Sequence, residues 1–154
     1  MTPSSATHYS PNDNNDDHTA IDHLIVGLGA TGLSVARYLA RKNKSFAVVD
    51  SRVNPPAKAD LFAEFPQVLA MFGDFPTDLF LRAQQLIVSP GIAVATPVIQ
   101  QAQQNGATII GDIELFVRDA QAPIIAITGS NGKSSVTTLV TEMATSAGLT
   151  AYAG

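Results

Sequence analysis

The sequence of 154 residues contains no cysteine. That excludes a disulfide framework and thiol catalysis, and it makes a cytoplasmic setting unstrained. Charge is also scarce. Only 14% of residues are Asp, Glu, Lys or Arg, and the 9 basic residues against 13 acidic ones leave a net charge of −4. No basic run exists, which argues against a nucleic-acid or anionic-membrane surface. Long apolar runs are absent too. Nothing approaches the roughly 20 residues of a membrane span. The N-terminus lacks the basic region and apolar segment of a secretory signal. What remains is a chain that is 45% hydrophobic. That is enough material for one core and the beginning of a second domain.

Residues 1–20, MTPSSATHYSPNDNNDDHTA, are polar and carry Asp13, Asp16 and Asp17 but no Lys or Arg. Such a stretch cannot bury enough apolar surface to offset chain entropy, so a disordered tail is expected. His8 and His18 within it lack spaced partner ligands, and solvated histidines are the expectation.

Order begins with the apolar run His23-Leu24-Ile25-Val26-Gly27, read as a strand. It enters Gly27-Leu28-Gly29-Ala30-Thr31-Gly32, a complete G-x-G-x-x-G, and an amphipathic helix over 33–42 follows. A second strand, Phe46–Val49, ends at Asp50, which lies 50 − 32 = 18 residues after the last glycine. That spacing is close to the ribose-binding acid of dinucleotide folds. The pattern therefore predicts a nucleotide-binding βαβ unit. The same glycines would also serve a turn built only for tight strand–helix packing.

The alternation continues. Helices are expected near 59–65, 79–83, 97–105 and 113–119, and strands near 68–72, 86–88 and 108–110. Gly106 is expected to close the third of these helices, and Asp112 to N-cap the fourth. Ser89-Pro90-Gly91 forms a turn at a strand end, where Ser89 and Gly91 serve turn geometry or line a ligand.

Residues 120–123 lack periodicity and mark a boundary. Beyond it, Pro123-Ile124-Ile125-Ala126-Ile127 reads as a buried strand, Thr128–Gly132 as a tight turn, and 134–147 as a helix capped by Gly148. Another strand is expected to start at Thr150. Strand, glycine turn, Lys133-Ser134 and helix form the layout of a phosphate-binding loop. Glycines let backbone N–H groups converge on an anion, and the helix dipole points at the same place. Lys133 can reach the outer phosphates of ATP, and the Ser134 hydroxyl can ligate Mg²⁺. The general spacing G-x-x-x-x-G-K-[ST] would need glycine at 127, where Ile127 stands. The loop is the shorter T-G-x-N-G-K-S.

That shorter loop, TGSNGKSS, resembles the ATP loop of the Mur ligases, the ATP-dependent amide-forming enzymes of peptidoglycan precursor synthesis. The segments Gly27–Ser34, Asp50-Ser51-Arg52, Ser89–Ile92 and Gly111–Phe116 are similar to the branch that joins D-glutamate to UDP-N-acetylmuramoyl-L-alanine. The likeness runs from about Ile21 to Gly154 with the motifs in order. It implies a UDP-sugar site at Gly29, Ala30, Thr31, Asp50, Ser51, Arg52, Ser89 and Gly91. It implies an ATP site at Gly129, Ser130, Asn131, Gly132, Lys133, Ser134 and Ser135, with Lys133 catalytic and Ser134 on the metal. ATP phosphorylates the substrate carboxylate in that family, and the D-glutamate amine attacks the acyl phosphate.

The expected fold is α/β. A disordered tail (1–20) precedes a Rossmann-like parallel-sheet domain (21–121), and the first strand, loop and helix of an unfinished P-loop ATPase domain (122–154) follow. The expected molecule is a monomeric, cytoplasmic N-terminal portion of a ligase, inactive alone, with no nucleic-acid or membrane partner. A non-catalytic Rossmann module and a fragment of an NAD(P) oxidoreductase are the alternatives. The second phosphate loop separates them, because a dehydrogenase has no use for Gly132-Lys133-Ser134.

Overall fold

The computed structural model describes residues 20–153. The expected disordered tail, with His8 and His18, lies outside the described residues apart from Ala20. The chain divides into two units, with the boundary between Arg118 and Asp119.

In the first unit, apolar stretches form β1 (Ile21–Val26), β2 (Phe46–Asp50), β3 (Leu69–Phe72), β4 (Ala83–Val88) and β5 (Thr108–Ile110), β-branched in all but β3. All pair in parallel in the order β3-β2-β1-β4-β5. Parallel neighbours require crossovers, and helices supply them. These are α1 (Ala30–Arg41), α2 (Lys58–Glu64), α3 (Thr77–Arg82) and α4 (Pro97–Gln104), and α5 (Asp112–Asp119) follows β5. The carboxyl-end halves of β1 and β4 and the body of β2 are continuous hydrophobic runs because both faces of the sheet are covered there. Leu24, Val26, Val49, Leu86 and Val88 point to one face, where Leu79, Phe80, Ile99 and Ala102 of α3 and α4 meet them. Ile25, Val48, Ile87 and Ile110 point to the other, against Leu33, Ala36 and Leu39 of α1, Leu61 of α2 and Leu115 of α5. The helix layer changes face between the excursion from β1 to β3 and the return to β4. The sheet therefore reverses direction between β1 and β4.

Boundaries shift from the sequence expectation in ways that matter for the mouth of the sheet. Helix α1 starts at Ala30, not Leu33, so the last three residues of the G-x-G-x-x-G lie in its first turn. Asp112 is the first residue of α5 rather than its cap, because the helix hydrogen bonds already begin at Gly111, whose carbonyl accepts from Leu115. Glu114 is exposed and pairs with Arg118 one turn on. Arg37 of α1 forks onto Glu64 of α2. Both side chains are partly exposed, so solvent screens this bridge and it adds little to stability. Gly106 follows the end of α4 with φ +99°, the left-handed turn expected of it.

The second unit holds α6 (Lys133–Ser146). The run Pro123–Ile127, expected as a buried strand, forms none, and Ile124 and Ile125 are 47% and 68% exposed. Nor does a strand start at Thr150. A strand persists when a neighbour accepts and donates its ladder bonds. Among the described residues nothing pairs with either run. Helix α6 itself carries threonines whose hydroxyls donate back to the carbonyls of the preceding turn, from Thr137 to Lys133, Thr138 to Ser134, Thr141 to Thr137 and Thr145 to Thr141.

Two glycines of the first loop test the packing account. A Cβ added at Gly32 would lie 2.0 Å from the Gly27 carbonyl oxygen, whereas one at Gly29 would meet nothing within 4 Å. Gly32→Ala should therefore destabilise the fold by about 3 kcal/mol, as backbone clashes cannot be relieved by a rotamer change. Gly29→Ala should melt within a few degrees of the parent. Chemical denaturation of the two variants checks the contrast.

Candidate functional site

The carboxyl ends of β1, β2 and β4 form one mouth. Each strand's ladder runs past its end into the following loop. The Gly27 N–H donates to the Val49 carbonyl (2.8 Å), and the Ser89 N–H donates to the Val26 carbonyl (2.9 Å). The Ser89 hydroxyl also donates to the Gly27 carbonyl (3.1 Å). Gly27 has φ +100°, and a Cβ there would strike Ser89 and Ile92 within 3.0 Å. Gly27 and Gly32 thus serve the turn and the strand–helix contact. Gly29 is different. It precedes α1 with open space before it, as Gly91 does across the mouth. The first-turn N–H groups of α1, from Ala30 and Thr31, have no intrahelical acceptor and face outward with the helix dipole. In an open parallel sheet this is where a ligand sits, at the reversal of strand order.

Asp50 closes β2. Its side chain is 1% exposed, the one buried charged group among the described residues. Oδ2 accepts the Leu28 N–H (2.7 Å) and an Arg52 Nη2–H (2.6 Å), while Oδ1 accepts the Arg52 backbone N–H and Nε–H, both at 2.9 Å. Burial pushes this carboxyl up, and the hydrogen bonds from the Arg52 guanidinium, Leu28 and the Arg52 backbone outweigh it, leaving the group at about 2. Ser51 and Arg52 are exposed beside it. Gly29, Ala30, Thr31, Asp50, Ser51, Arg52, Ser89 and Gly91 all lie at this one mouth, in its loops, at the end of β2 or in the first turn of α1. Sequence reasoning missed Leu28, whose backbone N–H joins the loop after β1 to the end of β2. No signal in the sequence could have found it, because the donor depends on which strands become neighbours.

The second loop lies in the second unit. Gly132 adopts φ +75°, a left-handed turn from which α6 starts at Lys133. No neighbour would obstruct a Cβ at Gly132. Gly129, Ser130, Asn131, Ser134 and Ser135 are all exposed around it. Lys133 folds back so that Nζ donates to the Gly129 carbonyl (2.6 Å). An open glycine turn, unpaired first-turn amides and a lysine curled over them suit a polyphosphate. Among the described residues no cluster of three His, Cys, Asp or Glu could hold a metal.

A protein-family model of the Mur ligase MurD-like N-terminal domain matches residues 21–111. The chain belongs to that family. Curated MurD-like relatives include the UDP-N-acetylmuramoylalanine--D-glutamate ligase of Pseudomonas syringae pv. tomato, 56% identical over 125 residues, which are 81% of this chain and 28% of that protein. The enzyme of the same name from Legionella pneumophila (strain Paris) is 52% identical over 126 residues, 82% of this chain and 28% of that one. The chain thus spans little more than a quarter of the length of these relatives. Among solved structures, a pseudomurein peptide ligase type C from Methanothermus fervidus superposes with a TM-score of 0.53 at 22% identity, covering 82% of this chain and 26% of that one. At that identity the likeness speaks for the α/β fold. No helix among the described residues is long and apolar enough to cross a membrane.

The state of Asp50 gives a pH signature for this MurD-like domain. The carboxyl sits at about 2 when folded against 3.8 as its ordinary value. As pH falls, the unfolded chain takes up this proton first. The stability contributed by Asp50 is therefore complete above about pH 4 and is lost between about 4 and 2, and it amounts to roughly 2 kcal/mol. Exposed Glu64, held down by Arg37, acts in the same direction to a smaller extent. Asp50→Asn should be less stable at neutral pH and should lose little further stability on acidification across that window, as urea melts at stepped pH would show.

Proposed function

We propose that this chain is the N-terminal part of an ATP-dependent ligase that adds D-glutamate to UDP-N-acetylmuramoyl-L-alanine. In this reading the first unit holds the UDP-sugar and the second supplies the phosphate loop of an ATP-binding domain. The observation that carries the reading is the presence, in one MurD-like chain, of two separate glycine turns that each lead into a helix and suit an anion. One is the G-x-G-x-x-G mouth at Gly27–Gly32, and the other is the loop Gly129–Ser135 before α6. A substrate with a diphosphate and a second nucleotide with a triphosphate require two such sites. A single dinucleotide requires one.

In the first unit, Gly29, Ala30 and Thr31 lie beside the diphosphate, Ser51 and Arg52 border the uridine, and Ser89 and Gly91 line the opposite wall. In the second, the amides of Gly129–Ser135 cradle the outer phosphates. Lys133 releases the Gly129 carbonyl and meets the charge that grows on the transferring phosphoryl group, and Ser134 supplies an oxygen to Mg²⁺. Bound ATP supplies the phosphoryl group that activates the substrate carboxylate for attack by the D-glutamate amine. The 154 residues by themselves bind nucleotide in this proposal without completing turnover, and they act as a soluble cytoplasmic monomer.

The ligand preference is open to direct measurement. Calorimetric titration of the 154-residue chain should show UDP-N-acetylmuramoyl-L-alanine and UDP binding more tightly than NAD⁺. A tighter complex with NAD⁺ would remove the UDP-sugar reading and favour the oxidoreductase alternative.

Lys133 and Ser134 can be separated in the full-length ligase that this proposal implies. Lys133→Ala should lower kcat by about 10²–10³-fold, the usual loss when one donor to transition-state charge is removed. Ser134→Ala should recover in part as Mg²⁺ is raised. Both variants should melt as the parent does, since both side chains are exposed at a turn. Near-normal turnover in a folded Lys133→Ala enzyme would sink the phosphate-loop assignment.

A further inference from the structure

A carboxylate offers about four acceptor positions. At Asp50 the chain itself fills them: Oδ2 takes the Leu28 N–H and one Arg52 Nη2–H, and Oδ1 takes the Arg52 backbone N–H and its Nε–H. The group is 1% exposed, so a ligand has neither a free lone pair nor a path to one. Arg52 is the opposite case. Its side chain is 53% exposed. Two of the guanidinium's five N–H groups are taken up by Asp50, which leaves about three and the planar face for other partners. Among the described residues no other group engages them.

We propose that Asp50 is a positioning residue that does not contact the nucleotide. It fastens the glycine loop through Leu28 and sets the guanidinium of Arg52 in one orientation, and Arg52 and Ser51 meet the ligand. The proposal rests on the nucleotide-binding reading of this mouth. It also states why that mouth is poor for an NAD-type dinucleotide. The diol of an adenosine ribose needs a carboxylate acceptor at the end of the second strand, and here the acceptor is already saturated. The side-on fork is specific to arginine. A lysine keeps the charge but cannot place two coplanar N–H groups on one carboxylate.

The test has a ligand-free arm and a binding arm, both on the 154-residue chain. By NMR, the Leu28 amide and the Arg52 Nε–H should exchange slowly with solvent in the parent. Asp50→Asn keeps one acceptor, so it should retain much of the Leu28 protection and lose that of the Arg52 Nε–H. Rapid exchange at both groups in the parent overturns the proposal without any ligand. In the binding arm, UDP is titrated into the parent, Asp50→Asn, Arg52→Ala and the double variant. Asp50→Asn should weaken UDP about tenfold in the parent background and no more than about twofold when Arg52 is already alanine, since the charge then has nothing to orient. Equal losses in both backgrounds would mean that the carboxylate acts on the ligand itself, which overturns the proposal. If Asp50→Asn fails to fold, Arg52→Lys takes its place. It should keep the Leu28 amide protected and bind UDP about tenfold more weakly, and unchanged affinity counts against the proposal. A parent chain that binds no UDP sinks the nucleotide reading of the mouth, while the exchange measurements still decide whether Asp50 anchors loop and arginine.

Discussion

A charged carboxylate sealed at the end of β2 is the constraint around which the mouth of the sheet is arranged. Leaving such a charge unpaired in the interior would cost several kcal/mol. The chain answers with donors from two directions. The loop after β1 must bring the Leu28 N–H to within 2.7 Å, and the turn after β2 must bend so that both the backbone and the side chain of Arg52 reach back. Those demands fix the path of the glycine loop. Gly27 can take the left-handed turn, and Gly32 lets α1 press against the Gly27 carbonyl. The acid and the glycines are therefore one device read at two places in the sequence.

The same residues show how far sequence reasoning reaches. Four of the five strands were legible because β-branched apolar runs bounded by turns have few other uses, and the fifth, β3, because a short apolar run stands between turn signals. Helix existence was legible for the same reason, while starts were not. The first turn of α1 contains Ala30, a good helix former, with Thr31 and Gly32, which are poor ones, so local propensity does not set the start. Tertiary packing of Gly32 on Gly27 decides it. Asp50 stood out by spacing, as a ribose-binding acid would. Its engagement by Leu28 and Arg52 was not legible, because hydrogen-bond partners depend on which strands become neighbours.

The second unit shows the converse. Pro123–Ile127 has the composition of a buried strand, yet it is exposed and unpaired. Composition records what a segment is suited to, and pairing decides what it does. The helix after the second glycine turn depends less on neighbours. The left-handed turn at Gly132 and the local hydrogen bonds of its threonines are written within a few residues of one another, and α6 forms where the sequence indicated.

One detail of the sheet bears on how a molecule would arrive at its mouth. The ladder does not stop with the strands. Gly27 continues it onto Val49, Ser89 onto Val26, and Gly73 onto Asp50. Backbone tied in this way moves with the core, which opens only on the slow timescale of cooperative unfolding, whereas free loops sample their shapes in nanoseconds to microseconds. The floor on which a ligand lands is thus set before it lands. Ser51 is exposed and free to change rotamer, while the Arg52 guanidinium is held by its fork on Asp50. Encounter at this mouth is governed by diffusion and by the orientation of the incoming molecule, with no slow backbone step in front of it.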